Sequence, residues 1–351
     1  MPRALTADSL VRGRSWLPVI GSARAALTIA GFALLAIVTI AYARGGLAIV
    51  RQVTERAAHE GQAVVQPLGD IAMRDVPKAS AIQQGRWFDD PHYPDEVHWY
   101  PFITPLAAAL YANAFQEPLQ SAYLIVAVLF SAAALAAAGA LMYVYFGAPG
   151  LAFFPIVVLL GTFWPDNTTY PISTSHALLF LLLGVAGAIM AGAGAANGRL
   201  FALLGALTGL LGLWHGSSLI AAGFISLCLI VWATAARIRA GARPRAALAP
   251  ALLYGLSFAV CISPLIAPQL IRYGTLKQSD AARLFLIEDY QGGNLPEALF
   301  SLRLFPRGAD AVWLAIFALS LFVGGDRAAR IKRVPLAIGY LFCILLGHLG
   351  F

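Results

Sequence analysis

Charge is scarce in this chain. Asp, Glu, Lys and Arg make up 12% of the 351 residues, and His adds 6 more. A soluble domain carries about 25% charged residues, so an ordinary water-soluble enzyme is excluded. The 60% hydrophobic content excludes a disordered chain as well. Cysteine is almost absent. Cys228, Cys261 and Cys343 lie inside apolar runs without pairing or ligand spacing, which leaves no disulfide, zinc or redox framework. Also missing are a Walker loop, a dinucleotide glycine fingerprint, an HExxH helix and a Gly-x-Ser-x-Gly elbow. An ATPase, dehydrogenase, zincin or serine hydrolase therefore has no support.

Long apolar runs are what the chain does have. They cover 25–43, 121–146, 150–164, 174–195, 199–214, 217–236, 247–271, 311–325 and 334–351, with a shorter run at 102–116. A span needs about 20 apolar residues, so the expected fold is all-α, a polytopic transmembrane bundle of about nine spans. Breaks fall at Gly147-Ala-Pro-Gly, Pro165-Asp-Asn and Ala196-Asn-Gly-Arg. Glycines such as Gly184, Gly187, Gly192, Gly194, Gly205, Gly209 and Gly212 suit close helix packing in lipid. Ala43-Arg-Gly-Gly is a poor cleavage site, so the first run reads as an uncleaved helix behind a cytoplasmic segment, 1–24.

The net charge of +7 reads as loop topology, not as a nucleic-acid surface. Arg237, Arg239, Arg243 and Arg245, then Arg327, Arg330, Lys332 and Arg333, mark two cytoplasmic loops. Parity then puts 44–120 and 272–310 outside, provided that 102–116 is an interfacial helix and does not span. Pro101, Pro105 and Asn113 and its short length favour that choice. On this topology 15 of the 17 acids fall outside, whereas Lys and Arg divide 13 inside and 11 outside. The localisation that follows is an inner or plasma membrane of bacterial type, with any active site on the extracytoplasmic face.

The densest cluster of reactive side chains begins at Arg86 and reads Trp-Phe-Asp-Asp-Pro-His-Tyr-Pro-Asp-Glu-Val-His-Trp-Tyr-Pro over 87–101. Pro91, Pro94 and Pro101 forbid a regular helix there. Asp89, Asp90, Asp95 and Glu96 among aromatic rings suit a general base or an oxygen-ligated divalent metal. His92, His98 and Trp99 suit a sugar ring, although an interfacial aromatic belt with solvated charges is the plainer reading.

With an apolar first helix, an acid-bearing outer loop and this stretch running into Phe-Ile-Thr-Pro-Leu, residues 25–236 resemble the GT-C superfamily of membrane glycosyltransferases. Oligosaccharyltransferase catalytic subunits have a comparable Trp-Phe-Asp and Trp-Tyr-Pro pattern before a helix. The resemblance implies transfer of a sugar from a polyprenyl-phosphate or polyprenyl-diphosphate donor to a glycan, lipid or protein acceptor. A first-loop carboxylate would be the base, here Asp89 or Asp90 with Asp95 and Glu96 behind them. The chain departs from the family where many members place an acid just after helix 1. It has Arg44-Gly-Gly-Leu there, with Glu55 and Glu60 the nearest acids. The next outer loop, 163–176, offers Asp166 and His176, and a later turn offers His215. Asp90 and Asp166 are the candidate ligands if Mg or Mn takes part. Donor phosphate would meet Arg272, Lys277 and Arg283, whose alternative role is snorkelling at the interface. The chain stops inside an apolar run where many GT-C enzymes continue, which reads as a truncated or short member. A transporter or flippase for lipid-linked or small polar solutes is the rival. It calls for mid-membrane charges and inverted repeats, and neither is visible. A membrane acyl- or phosphotransferase would share the outer acids and bases.

Overall fold

The computed structural model describes residues 17–60, 70–91, 96–98, 100–157, 171–190, 198–276, 331, 333–335 and 338. Among them are eight helices and no strand: α1 Leu17–Glu60, α2 Asp70–Gln83, α3 Ile103–Phe115, α4 Leu119–Val157, α5 Pro171–Ala188, α6 Gly198–Trp214, α7 Gly216–Arg239 and α8 Pro244–Tyr273. Four helical stretches are long and apolar enough to cross a membrane: Ala23–Glu60, Leu119–Pro155, Ser218–Arg239 and Pro244–Tyr273. The chain thus has the make-up of an integral membrane protein. Runs 158–164, 311–325 and most of 334–351 lie outside the described residues.

The first helix does not stop at residue 43. It continues through Gly45 and Gly46 to Glu60, 44 residues in all, or about 66 Å against a hydrocarbon core of about 30 Å. Packing explains the extension. A Cβ on Gly46 would lie 2.8 Å from Val128 Cγ1, so α1 and α4 touch closely there. Val50 joins Ala79, Ile82, Ala108, Ala109, Tyr123, Leu124 and Val128 in one buried cluster. The polar second half of α1 is therefore supported by α2, α3 and the start of α4. Helix α3, with 13 residues, reaches only about 20 Å. That is shorter than the hydrocarbon core of about 30 Å.

Gly147 interrupts α4 with φ 70° and ψ −157°, a conformation that glycine adopts at little cost. The neighbours on either side show that the chain reverses there. Before it, Gly139 packs on Leu35 and Gly46 on Val128, so α1 and 119–146 are antiparallel. After it, Leu151 packs on Gly31, and Phe154 joins the cluster of Val38 and Leu135. The second arm thus runs back beside the first, as the break between runs 121–146 and 150–164 predicted.

Helices α6, α7 and α8 run up, down and up. Gly205 meets the Tyr254 backbone, a Cβ on Gly209 would lie 2.8 Å from Phe258 O, and one on Gly212 would lie 2.7 Å from Ile262 Cδ1. That register makes α6 and α8 parallel, with three glycines letting the backbones approach. On its other side α8 leaves Leu252, Leu256 and Val260 exposed at four-residue spacing, a stripe suited to lipid. The main core lies between α4, α5, α6 and α7, around Leu182, Ile189, Phe201, Leu204, Leu211 and Ile225.

Candidate functional site

Residues 86–91, 96–98 and 100–101 sit at one end of the bundle, with the α6–α7 turn, the start of α5 and the end of α8. The arginine-rich α7–α8 turn is at the other end of α7. Three connections fix this arrangement. The Phe102 N–H donates to Leu213 O at 2.9 Å. Trp214 Nε1–H is shared between Thr104 Oγ1 at 3.1 Å and Thr174 Oγ1 at 3.0 Å, joining α6 to α3 and α5. Ser175 and Ser218 hydroxyls, 2.6 Å apart, join α5 to α7. Asp89, Asp90 and Glu96 thus share one end of the bundle with the start of α5 and the α6–α7 turn.

Locally the segment forms a short ribbon. Asp90 N–H donates to Glu96 O at 2.9 Å and His98 N–H to Phe88 O at 2.8 Å, bracketing the antiparallel bridge Asp89–Val97. Asp89 and Val97 are thus the narrow, non-hydrogen-bonded pair, whose side chains lie close together on one face. The Val97 N–H, free of the ladder, donates to the Tyr273 hydroxyl at 3.1 Å. Gln269 Nε2 donates to His98 O at 3.3 Å. Both contacts come from α8, so the ribbon is held against the last turns of that helix.

Lys78 of α2 anchors the ribbon from the other side. It is 5% exposed, and its ammonium donates at 2.9 Å to each of three acceptors: Trp87 O, Asp89 O and His98 Nδ1. Burying an ammonium costs several kcal/mol, and charged hydrogen bonds return about 1.5–3 kcal/mol each, so the two effects nearly balance. Burial pushes the Lys78 amine down to about 8; Asp90 and then Asp89 oppose that shift, and Arg86 adds to it. A value of about 8 leaves the amine mainly protonated at neutral pH.

Lys78 Nζ and His98 Nδ1 lie 2.9 Å apart; when the lysine is charged, Nδ1 is the acceptor of that contact and the ring proton is on Nε2. Burial, then the Lys78 charge, push the His98 imidazole down to about 3, against the carbonyls of Phe88 and Trp87. The ring is neutral, 2% exposed, and flanked by Phe88 at 6.0 Å and Phe102 at 4.9 Å. Its Nε2 is buried without a hydrogen-bond partner among the described residues, which costs about 1–3 kcal/mol.

Beside the ribbon lies a groove of about 700 Å³, lined by Phe88, Val97, Ser263, Pro264, Ala267, Pro268, Ile271 and Arg272. Its wall is mostly apolar. Pro264 has no N–H for the Val260 carbonyl, and Ser263 Oγ donates to that oxygen at 2.8 Å instead. Arg272, exposed, is the cation in the lining.

The candidate residues separate accordingly. Asp89 is exposed and shares a face with Val97 of the groove, whereas Asp90 is buried and coupled electrostatically to Lys78. Glu96 is half-buried and gives its carbonyl to the ribbon. His98 lies at the centre and Arg272 in the groove. His215 begins α7 from an extended conformation, and its carbonyl accepts from Leu219 N–H at 3.1 Å. His176 is half-buried on α5, its ring 6.0 Å from Phe180. His92, Asp95, Trp99, Asp166, Lys277 and Arg283 lie outside the described residues. Among the described residues no group of three or more His, Cys, Asp and Glu could hold a metal. Sequence reasoning passed over Lys78, Gln269 and Tyr273. The signal for Lys78 was its place at positions 75, 78, 79 and 82 of one buried helix face. No family model, no curated protein and no solved structure matches the chain.

Proposed function

We propose that the chain is a membrane glycosyltransferase of GT-C type. It would take a sugar from a polyprenyl-phosphate or polyprenyl-diphosphate donor on the extracytoplasmic face. The observation that carries this reading is the pairing of an apolar groove containing Arg272 with an adjoining acid, Asp89, on the same face as Val97. The groove suits an isoprenoid chain and the guanidinium suits phosphate oxygens. Asp89 takes the acceptor's proton as its oxygen attacks the sugar's anomeric carbon; the bond to phosphate breaks, and the phosphate leaves with the electron pair. Holding donor and acceptor together supplies the proximity contribution. Asp90, tied to Lys78, supports the ribbon.

The test uses membranes carrying the chain, an acceptor-rich envelope extract and a panel of radiolabelled polyprenyl-phosphate hexoses and pentoses. Label transfer is expected with at least one donor. Asp89→Asn should reduce transfer by about a hundredfold or more, with expression unchanged. Full activity in Asp89→Asn and in Asp90→Asn would remove this cluster as the base. No transfer from any donor would remove the reading itself.

A further inference from the structure

We propose that the pole opposite the ribbon is a docking surface for the headgroups of anionic phospholipids, held by the exposed side chains of Arg24, Arg199, Arg239, Arg243 and Arg245. This inference goes beyond the proposed function and does not depend on it.

Packing gathers these side chains from α1, α6, α7, α8 and the α7–α8 turn. Arg24 Nη2 lies 3.8 Å from where a Cβ on Gly147 would stand, so the start of α1 is at the reversal. Tyr145, Phe201 and Ala233 share one buried cluster, which brings that reversal to the start of α6 and the end of α7. Arg237 Nη1 donates to Ala246 O at 2.7 Å and closes the α7–α8 turn. Arg333 adds a further cation, 4.9 Å over the Phe146 ring. The described acids all fall between Glu55 and Glu117, on the ribbon's side. Among the described residues this pole therefore carries cations without a carboxylate, a field that attracts anions.

The level of the arginines selects a lipid anion. On α1, α6 and α8 an exposed apolar side chain follows on the arginine's own face: Leu27 three positions after Arg24, Leu203 four after Arg199 and Leu248 three after Arg245. On α7 the exposed Ile238 adjoins Arg239. About one turn, 5.4 Å, thus separates the charges from a surface suited to acyl chains, which is the depth of headgroups. The arginine stems lie along that surface and the guanidinium forks match phosphate oxygens. A soluble acidic protein or a nucleic acid would meet the charge but would leave the apolar margin uncovered.

The test uses the full chain in phosphatidylcholine bilayers containing spin-labelled phosphatidylglycerol or spin-labelled phosphatidylcholine. The fraction of each label immobilised at the protein gives their relative association constant. Phosphatidylglycerol should be favoured by about fivefold or more, and the preference should fall at high salt. Replacing Arg239, Arg243 and Arg245 together by Gln should bring it close to one. Arg237 is kept, because its bond to Ala246 O holds the turn. The three replaced side chains are exposed, so far-UV circular dichroism of the variant should match the parent. The same three positions changed to Lys keep the charge, should keep most of the preference, and give a second reading if the Gln variant fails to fold. Arg51→Gln, on the ribbon's side and paired with Glu55 at 3.1 Å, should leave the preference unchanged. Equal immobilisation of both labels by the parent protein overturns the proposal, as does a preference that survives the triple Gln variant. A preference lost equally in Arg51→Gln would assign it to net charge and not to this pole. Abolition by inorganic phosphate at constant ionic strength would make the arginines a site for a free anion. Equal immobilisation together with retention of polyglutamate on the protein would assign the surface to an acidic protein.

Discussion

The Tyr123 hydroxyl donates to the Asp75 carboxylate at 2.7 Å, and both side chains are buried. Asp75 lies one turn before Lys78 on the same face of α2, so this bond ties the ribbon's anchor to α4. Tyr123→Phe removes a hydrogen bond to a buried charged group, and a loss of about 1.5–3 kcal/mol is expected. It should appear as a lower thermal midpoint of the detergent-solubilised protein. An unchanged midpoint would show that the contact does not hold α2.

Two sets of glycines should respond in opposite ways to one added methyl. Gly209→Ala would bring Cβ to 2.7 Å from Cys261 Cβ and 2.8 Å from Phe258 O, forcing α6 and α8 apart. Overpacking of this kind costs about 1–3 kcal/mol. Gly223→Ala and Gly255→Ala, with nothing within 4 Å, should be neutral or stabilising by up to about 1 kcal/mol. Thermal unfolding of the three variants reads the difference, and equal destabilisation would contradict the tight α6–α8 contact.

The reversal at Gly147 can be checked by chemistry. In a background lacking Cys228, Cys261 and Cys343, cysteines replacing Leu135 and Phe154 should be joined by a short bifunctional thiol reagent. These residues belong to one cluster with Val38 although they are 19 positions apart. A straight helix of that length would separate them by about 28 Å, beyond the reach of a short linker. Failure to cross-link while each thiol remains reactive would argue for a straight helix.

The Lys78–His98 pair also sets a dependence on pH. The His98 imidazole lies at about 3 in the fold, against its ordinary 6.5. The unfolded chain therefore binds an extra proton between those values, and stability falls as pH drops through this window. Lys78 acts with the same sign higher up: at about 8 in the fold against 10.5, it makes the unfolded chain the better proton binder there, and its contribution rises with pH across that window. Thermal midpoints measured at intervals of pH should show the acid-side loss, and His98→Gln should flatten it. An equally steep loss in that variant would assign it to other groups.

Arg272→Gln should weaken binding of polyprenyl phosphate by about tenfold or more, since a charged hydrogen bond to phosphate is worth about 1.5–3 kcal/mol. Tryptophan fluorescence or equilibrium binding to the protein in detergent measures it. Unchanged affinity would move the phosphate away from the groove.

The helices bounded by glycine and proline were legible in the sequence. Runs 199–214, 217–236 and 247–271 became α6, α7 and α8, and the break at Gly147 became a reversal. Hydropathy supplies these because lipid-facing helices must be apolar along their length. It could not supply the second half of α1, where Arg44, Arg51, Glu55 and Arg56 end the apolar run while packing keeps the helix going. Nor could it supply α2, whose buried face includes Asp75 and Lys78. The proline-broken acid stretch was visible as non-helical. That Asp90 and His98 would turn inward onto a lysine, leaving Asp89 exposed, depends on a contact across 20 positions that no local spacing encodes.

The glycine at 147 has an effect well beyond its own turn. Thr174 must lie beside Thr104 and Trp214, at the end where α4 begins. Had the backbone kept its helical course through 147, the thread would have been left at the opposite pole, with a full crossing still to make before that contact. One torsion, open to a residue without a side chain, thus governs which pole receives every later segment, and with it whether the acids and Arg272 can ever meet.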